Sequence, residues 1–384
     1  MSGSVSTGVV RHKLPDFTLA IEDLKRRVNG TRWPSSVFAD DWSRGVPTSY
    51  LKSVAYYWVQ EFDWDLWQAR LSRMPHFFTE IEGQPIHFLH YRSKRHDAMP
   101  LVMTHGWPSS FMEFDRVVPM LLKGNGEICF NLVIPSLPGF GFSNPLRTLG
   151  WNHRSIAAAW GKLMNQLGYG RFGACGGDTG SLVAPALGKL LPQQVVGVHI
   201  NGGLLRPDLT ADEYLGLHSD ERRRIDFATE LLRLGTGYAE IQATRPQSVG
   251  FALTDSPVGL LAWIIEKYKE WTDPAKPLPE EALDLDDILS TVSLYWLTNT
   301  AASSANLYYE VREEKETMSP LPRTEVPTGI AVFPTDPVLR HRADREFNVV
   351  HWNEYDRGGH FAAIEAPDLY AADLIEFFSS LERL

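Results

Sequence analysis

The first 75 residues carry hydrophobic side chains at helical spacing. One apolar stripe runs through Leu19, Ala20, Ile21 and Leu24, and a second, rich in aromatic residues, spans residues 50–71. Apolar positions three or four residues apart share one face of a helix, so both segments are predicted to be helices that bury that face. Arg32-Trp33-Pro34 and Gly45-Val46-Pro47 interrupt the pattern between them. We therefore expect an N-terminal helical extension over residues 1–75.

After residue 75 the pattern changes to short apolar runs that alternate with helical segments. Runs at 77–81 and 86–91 flank Glu82-Gly83-Gln84-Pro85 and predict a hairpin. The alternation that follows predicts a parallel sheet with crossover helices. The other expected strands are 101–104, 130–134, 172–175, 195–200, 329–333 and 347–350, and the expected helices are 109–122, 154–167, 181 onward and 371–381.

Between about residues 205 and 320 the alternation stops and the pattern is helical throughout. A helical block inserted between the sixth and seventh predicted strands would form a cap. Open α/β sheets bind ligands at the carboxyl ends of their strands, so the cap would cover the site. We predict an α/β core formed by residues 76–204 and 321–384, with the cap at 205–320.

The composition is that of an ordinary globular protein and narrows the function classes. The chain has 384 residues, 43% hydrophobic and 22% charged, with a net charge of -10. This acidic balance argues against a nucleic-acid partner. Cys129 and Cys175 are the only cysteines, and neither has metal-ligand spacing, so we expect a reduced, cytoplasmic protein without disulfides or a metal site. The first 13 residues lack a continuous apolar stretch, so we expect neither a signal peptide nor a membrane anchor.

The segment Gly176-Gly177-Asp178-Thr179-Gly180 has the form of a nucleophile elbow with aspartate in place of serine. In the α/β-hydrolase fold this turn joins a strand to a helix so tightly that small residues must flank the nucleophile. A carboxylate nucleophile attacks carbon and forms an alkyl ester, which suits epoxides and alkyl halides better than amides. Glycine and aspartate are also common in plain turns, and that interpretation competes when the motif is taken alone.

An acid and then a histidine should follow such a nucleophile along the chain. His360 lies in a glycine-rich loop between the last predicted strand and the last helix. Asp336 follows the preceding strand and is the predicted acid; Asp344 and Glu346 lie nearby but are interpreted as solvated surface charges.

The oxyanion hole needs one backbone N–H from the residue after the nucleophile and one from an earlier loop. Thr179 supplies the first. The second is expected in His105-Gly106-Trp107-Pro108, just after the strand 101–104. Gly106 allows a sharp turn and Pro108 has no N–H, so Trp107 is the predicted donor. We also predict that His105, Gly106 and Pro108 line the substrate pocket.

These features occur together in one family. The chain resembles the microsomal-type epoxide hydrolases, which include the juvenile hormone epoxide hydrolases and bacterial relatives. The resemblance covers nearly the whole chain. The matching segments are Arg32-Trp33-Pro34, Phe62-Asp63-Trp64, Thr79-Glu80-Ile81, His105-Gly106-Trp107-Pro108, Pro135-Ser136-Leu137-Pro138-Gly139-Phe140-Gly141-Phe142-Ser143, the elbow, Gly237-Tyr238, Ile241-Gln242-Ala243-Thr244, Asp255-Ser256-Pro257-Val258-Gly259 and Arg357-Gly358-Gly359-His360-Phe361.

The resemblance implies roles for individual residues. Asp178 would be the nucleophile, His360 the general base, and Asp336 the acid, where the family often has glutamate. Tyr238 matches one proton-donating cap tyrosine, and Tyr308 matches the other by spacing, with adjacent Tyr309 as the alternative.

Further implications of the resemblance concern the ligands and the pocket. It implies a small-molecule epoxide substrate, no cofactor, and a homodimer as one possible assembly. Many relatives have tryptophan directly after the nucleophile, whereas this chain has Thr179, which opens the pocket.

Two other functions compete with an epoxide hydrolase. A haloalkane dehalogenase shares the Asp–His chemistry, but its halide cradle commonly uses a tryptophan at the position of Thr179. A non-catalytic binding protein of the same fold would be expected to have lost the nucleophile or the histidine, and this chain keeps both. No Gly-x-Ser-x-Gly occurs, which excludes a serine esterase of this type. The many tryptophans favour an apolar epoxide, whose hydrolysis could serve detoxification or natural-product biosynthesis.

Overall fold

The sheet of this protein is mostly parallel. The computed structural model describes residues 8–35, 40–202 and 209–381. Its strands form one nine-stranded sheet in the order β1-β2-β3-β5-β4-β6-β7-β8-β9. The strands are β1 Val10–Arg11, β2 His76–Ile81, β3 Gln84–Tyr91, β4 Met99–Thr104, β5 Phe130–Pro135, β6 Phe172–Gly176, β7 Val195–Asn201, β8 Pro327–Val332 and β9 Asn348–Glu354.

Helices flank this sheet, and they also form the N-terminal extension and the segment between β7 and β8. In the N-terminal extension they are α1 Thr18–Asn29, α2 Thr48–Gln60 and α3 Trp64–Arg73. In the core they are α4 Val118–Lys123, α5 His153–Gln166 and α6 Gly180–Leu190. Between β7 and β8 they are α7 Ala211–Gly216, α8 Ser219–Leu234, α9 Gly237–Thr244, α10 Pro246–Asp255, α11 Pro257–Trp271, α12 Pro279–Ala282, α13 Leu285–Leu297 and α14 Ala301–Thr317. The last three are α15 Arg340–Glu346, α16 Ala362–Glu365 and α17 Pro367–Leu381.

The direction of pairing changes once across the sheet. Strands β1, β2, β3 and β5 pair antiparallel in succession, and every pair from β5 through β4 to β9 is parallel. Parallel strands separated by helices on both faces confirm the predicted α/β-hydrolase fold. The carboxyl ends of β4, β6, β7 and β8 therefore lie along one edge of the sheet, and the predicted site residues follow these strands.

The predicted hairpin is present with a tighter turn than the sequence suggested. Ile81 pairs with Gln84, so Glu82 and Gly83 alone form the turn. Both residues have positive φ angles, 54° and 79°. Two-residue hairpin turns of this kind match the right-handed twist of the strands, which is why glycine stands at one of the two positions.

The prediction of one helix over 109–122 was wrong. The segment forms a short 3₁₀ helix, Phe111–Phe114, and then α4. The Ser110 side chain accepts a hydrogen bond from the N–H of Met112 at the start of the first piece. Pro119 lies in the first turn of α4, where its missing N–H costs nothing, so a second helix begins there.

Other differences lie at element ends. The sequence did not predict β1, which pairs with β2 at the edge of the sheet. The aromatic stripe over 50–71 is divided between α2 and α3, because Asp63 caps α3 by accepting a hydrogen bond from the N–H of Leu66.

The N-terminal extension joins the core to the helices between β7 and β8. The buried indole of Trp58 on α2 donates to Ser293 Oγ on α13 at 2.9 Å. Arg70 on α3 pairs with Asp115 of the core at 2.7 Å and with Asp287 of α13 at 2.9 Å. These contacts hold the cap helices over the carboxyl edge of the sheet.

The predicted boundary between core and cap, at residues 204 and 205, lies outside the described residues. Within the part of the chain that the structure describes, no single helix has the length and apolarity needed to cross a membrane. The bent pair α10 and α11 meets those criteria when the two helices are taken together.

Candidate active site

Asp178 lies at the sharp turn between β6 and α6. Its φ angle is 51°, in the left-handed region that a residue with a side chain rarely adopts. A Cβ atom at Gly176 would come within 2.4 Å of the Thr104 carbonyl oxygen, and one at Gly180 within 2.0 Å. Glycines on both sides thus let the turn press against β4, and Asp178 projects from its tip.

The Asp178 carboxylate is held by hydrogen bonds on one oxygen. Oδ1 accepts from the backbone N–H of Trp107 at 3.0 Å and of Thr179 at 2.6 Å, the predicted oxyanion donors. The Thr179 hydroxyl adds a third bond at 3.0 Å, which the sequence did not predict. A Cβ at Gly106 would lie 2.0 Å from Oδ1, so glycine is needed for this approach. Three donors therefore fix Oδ1 and leave Oδ2 for other contacts.

His360 contacts the second oxygen of Asp178. Its Nε2 lies 3.1 Å from Asp178 Oδ2. The backbone N–H of His360 donates to the Trp271 carbonyl at 2.9 Å, which ties the histidine loop to the end of α11. Burial would lower the pKa of the imidazole, but the hydrogen bond to Asp178 and the negative charges of Asp178 and Asp336 raise that pKa above its ordinary value. In turn, burial would raise the pKa of Asp178, but His360 and the Thr179 and Trp107 N–H groups hold it below its usual range.

Asp336 follows β8 and faces the other side of the imidazole. Its Oδ2 accepts from the N–H groups of Phe333 at 2.9 Å and Gly202 at 3.2 Å. A Cβ at Gly202 would be 3.7 Å from both Asp336 Oδ1 and His360 Nδ1, so the carboxylate and the imidazole nitrogen lie on either side of one point of the backbone. Burial raises the pKa of Asp336 to about 6, against the backbone hydrogen bonds and the charge of His360.

The other acids considered for this position lie elsewhere. Asp344 and Glu346 are exposed residues of α15, and Asp344 pairs with Arg340 on the same helix. This placement agrees with their interpretation as surface charges.

Two tyrosines from the cap helices meet above Asp178. The Tyr308 hydroxyl on α14 donates to the Tyr238 hydroxyl on α9 at 3.3 Å. The Tyr238 ring stacks on the Trp107 indole with centroids 4.9 Å apart and an angle of 11° between the planes. Tyr309, the alternative to Tyr308, is 41% exposed and lies on the outer side of α14. The structure therefore brings Tyr308 and not Tyr309 to the site.

Comparisons with known proteins agree with this geometry. The family model for the epoxide hydrolase N terminus matches residues 14–114, and that of the alpha/beta hydrolase family matches 101–373. Epoxide hydrolase 1 of Sus scrofa is 35% identical, over 94% of this chain and 87% of its own length. A Stigmatella aurantiaca protein, whose own name as an epoxide hydrolase is provisional, is 43% identical over 97% of this chain and 86% of its own. The chain belongs to the epoxide hydrolase family.

Solved structures of epoxide hydrolases share the fold over nearly the whole chain. The juvenile hormone epoxide hydrolase of the silkworm Bombyx mori has a TM-score of 0.89 at 28% identity, covering 98% of this chain and 95% of that one. The epoxide hydrolase of Aspergillus niger has a TM-score of 0.85 at 33% identity, covering 97% and 96%. The N-terminal extension and the cap helices are thus included in the likeness.

A cavity of about 560 Å³ opens above the Asp178 carboxylate of this epoxide hydrolase. Its walls include Asp178, His360 and the two cap tyrosines, together with apolar side chains of α8 and α14 such as Phe227 and Leu307. A small organic molecule fits a largely apolar space of this size with a few convergent polar groups.

The three residues predicted to line the pocket do not line this cavity. His105 is fully buried, its Nε2 accepts from the N–H of Leu137 at 3.2 Å, and its Nδ1 lies 3.0 Å from the Gly106 carbonyl oxygen. It holds the loop that carries Trp107, because both ring nitrogens are occupied by the backbone. Gly106 lies against Asp178, and Pro108 follows on the same loop outside the cavity lining.

Most of the cavity lining was not predicted from the sequence, and two aromatic residues of it lie close to the reacting groups or face the cavity as a neutral ring. Trp271 ends α11, and its ring lies 5.0 Å from that of His360 and 5.4 Å from that of Tyr238. His153 begins α5, and burial lowers the pKa of its imidazole to about 3, so it faces the cavity as a neutral ring. Neither carries a motif, since each reaches the site through the packing of its helix.

One group of metal-ligand residues lies close together in the described part of the chain, away from this cavity. The ligand atoms of His351, Asp373 and Glu376 are all within 4.8 Å of one another. The buried Asp373 carboxylate also accepts hydrogen bonds from Asn353 and Tyr355, each at 2.6 Å. Hydrogen bonding within the protein therefore accounts for this cluster.

Proposed function

We propose that this epoxide hydrolase converts an apolar epoxide to a vicinal diol through an alkyl ester on Asp178. The observation that carries the proposal is that the two oxygens of the Asp178 carboxylate have different partners. Oδ1 is held by the N–H groups of Trp107 and Thr179, while Oδ2 faces His360 beneath the paired tyrosines. One oxygen is thereby prepared to become a carbonyl and the other to attack.

In the first step Asp178 Oδ2 forms a bond to one ring carbon of the epoxide. The carbon–oxygen bond of the ring breaks, and its electron pair goes to the ring oxygen. Tyr238 and Tyr308 hydrogen-bond this oxygen and supply a proton as negative charge develops on it. The product is a hydroxyalkyl ester of Asp178.

In the second step a water molecule attacks the ester carbonyl carbon. His360 accepts a proton from the water, and the nearby Asp336 carboxylate stabilises the imidazolium. Negative charge builds on Oδ1, which already lies in the hydrogen bonds of Trp107 and Thr179. Collapse of this intermediate releases the diol and restores the Asp178 carboxylate.

The first step changes the basicity of His360. In the free enzyme the Asp178 charge raises the pKa of the imidazole and favours its protonated form. Ester formation removes that charge, while burial, which lowers the pKa, remains. The pKa of the imidazole therefore falls, its proton passes to solvent, and the neutral ring can accept a proton from the water that hydrolyses the ester.

This coupling predicts two different pH midpoints for one residue. The rate of ester hydrolysis should fall as the pH falls through the His360 pKa of the ester form, because a protonated imidazole cannot act as a base. That midpoint should lie at lower pH than the titration of His360 in the free enzyme. Histidine NMR titration of the free enzyme and single-turnover hydrolysis at a series of pH values would compare them. Coincident midpoints would contradict the coupling.

The origin of the diol oxygen tests the ester mechanism directly. A single turnover of excess enzyme in H₂¹⁸O should give a diol without label, because its new oxygen comes from Asp178. Repeated turnover should transfer label from water to the carboxylate and then to the diol. Label in the first diol would mean that water attacks the epoxide itself. Parallel incubation with a haloalkane, followed by halide detection, tests the dehalogenase alternative.

The tyrosine pair predicts a loss in the first step alone. Tyr238→Phe and Tyr308→Phe should each slow ester formation about 10²-fold, and the double variant at least as much, because the developing alkoxide loses its hydrogen bonds and its acid catalyst. Ester formation is followed by intact mass in rapid-quench samples. Tyr309→Phe is the matched control, since Tyr309 is exposed, and it should keep the parent rate. Equal rates of ester formation in Tyr309→Phe and the double variant would show that Tyr238 and Tyr308 do not assist ring opening.

The cavity also supports a proposal for the substrate. Apolar side chains from α8 and α14, together with Trp271, enclose the space around the reacting carboxylate. Thr179 places a small side chain directly beside the nucleophile. An aryl or alkyl epoxide of moderate size satisfies both features.

A further inference from the structure

A buried lysine lies under the ring of one of the two tyrosines. Lys267 on α11 is 2% exposed, and its Nζ lies 4.9 Å from the centroid of the Tyr238 ring. The Trp107 indole stacks on the same ring almost in parallel. A stacked indole occupies one face, so the ammonium lies over the other.

Burying an ammonium is costly, and the charge of Lys267 is compensated here by two carboxylates near the protein surface. Lys267 Nζ pairs with Glu266 at 2.8 Å and Glu270 at 2.6 Å, and it donates to the Gly235 carbonyl at 3.4 Å. Both carboxylates remain 29% exposed, whereas the ammonium end is enclosed. An apolar side chain of similar volume would fill such a position without that cost. The position of the charge, over an aromatic ring, is therefore the feature to explain.

The two tyrosines are not equivalent. The Tyr308 hydroxyl donates a hydrogen bond to the Tyr238 oxygen, and Lys267 lies over the Tyr238 ring. Burial and the charges of Asp178 and Glu270 raise the pKa of Tyr238, while the hydrogen bond from Tyr308 opposes this change. For Tyr308, burial, the neighbouring Tyr238 and the Asp178 charge all raise the pKa well above its ordinary value. Two contacts that favour a phenolate, a hydrogen bond donated to the oxygen and an ammonium over the ring, both lie on Tyr238.

We infer that Tyr238 is the tyrosine that gives up its proton in the ring-opening step, and that Lys267 stabilises the resulting phenolate through the ring face. The inference rests on the proposed function and deepens it by giving the two tyrosines separate roles. Lys267 acts through Tyr238 and is a positioning residue. Tyr308 keeps its proton. Its hydroxyl hydrogen-bonds the Tyr238 oxygen, which loses the proton, and the epoxide oxygen, which receives it.

The protons balance over the whole cycle. The O–H bond of Tyr238 breaks, and its proton neutralises the oxygen released from the ring, leaving a phenolate. Hydrolysis of the ester later regenerates the Asp178 carboxylate and releases one proton, which His360 has accepted from water. That proton returns to the Tyr238 phenolate, and His360 regains from solvent the proton it lost when the ester formed, so the enzyme ends each turnover in its starting state.

The test isolates ester formation in a His360→Gln background, using styrene oxide and intact mass as the readout. Lys267→Met should slow ester formation about 30-fold, the loss expected for a desolvated cation over an aromatic ring, whereas Lys267→Arg should stay within about threefold of the parent. Lys269→Met on the same helix is the control and should be unchanged. Lys267→Met with Glu270→Gln keeps the local charge balance and should remain slow.

A rescue experiment separates an electrostatic role from a structural one. Ring-fluorinated tyrosine at position 238 makes a more stable phenolate, so it should accelerate ester formation more in Lys267→Met than in the parent. Equal acceleration in both, or equal rates for Lys267→Met and Lys267→Arg, would overturn the inference. If no adduct forms in the His360→Gln background on any of several epoxides, the proposed function itself fails, which is a different result.

Discussion

Asp178→Asn is expected to reduce diol formation by at least about 10⁴-fold, since removing a nucleophile leaves only binding and the oxyanion donors. The amide has the size of the carboxylate, and its oxygen can still accept hydrogen bonds from the Trp107 and Thr179 N–H groups. Its nitrogen lies where Oδ2 should attack and has no nucleophilic lone pair. Diol formation from styrene oxide, measured on freshly prepared enzyme whose mass verifies the amide, gives the loss.

The control for this substitution comes from the acid that the structure places on the surface. Asp344→Asn, on the exposed face of α15, should keep full activity. Asp336→Asn should slow turnover without preventing ester formation, because Asp336 acts on the imidazole. If Asp178→Asn retained as much activity as Asp336→Asn, direct attack of water on the epoxide would be the better mechanism.

The parts of the site that the sequence could predict are those fixed by local backbone chemistry. The elbow needs glycine where Gly176 and Gly180 press against β4, and this requirement is visible as a spacing in the sequence. The same holds for the loop after β4, where Gly106 lies so close to Asp178 that no side chain would fit. The order of strands along the chain then placed His360 and Asp336 after the correct strands. Fold and candidate triad therefore followed from motifs and alternation.

The contacts that the sequence could not predict depend on which way a side chain points after the cap folds over the core. His105 belongs to a matched motif, yet its ring turns inward to bond the backbone of Leu137. Lys267 resembles any lysine on an amphipathic helix until α11 places it beneath Tyr238. Trp271 reaches His360 in the same way. Such contacts join residues far apart in sequence and have no local signal.

His360→Gln is expected to convert the enzyme into one that traps its own intermediate. Asp178 Oδ2 can still attack, because glutamine leaves the nucleophile and the tyrosine pair intact. Ester hydrolysis should slow about 10²–10⁴-fold, the contribution of a general base. After exposure to styrene oxide, intact mass should rise by the mass of one epoxide, and peptide mapping should place the adduct on the peptide that contains Asp178.

The control for the trapped ester combines both substitutions. Asp178→Asn with His360→Gln should carry no adduct, since the attacking oxygen is gone. An adduct on another residue in both variants would reflect simple alkylation of the protein surface. Rapid multiple turnover by His360→Gln, with no adduct, would mean that a different base activates the water. In that case Asp336, buried beside the imidazole with a pKa raised to about 6, would be the next group to replace.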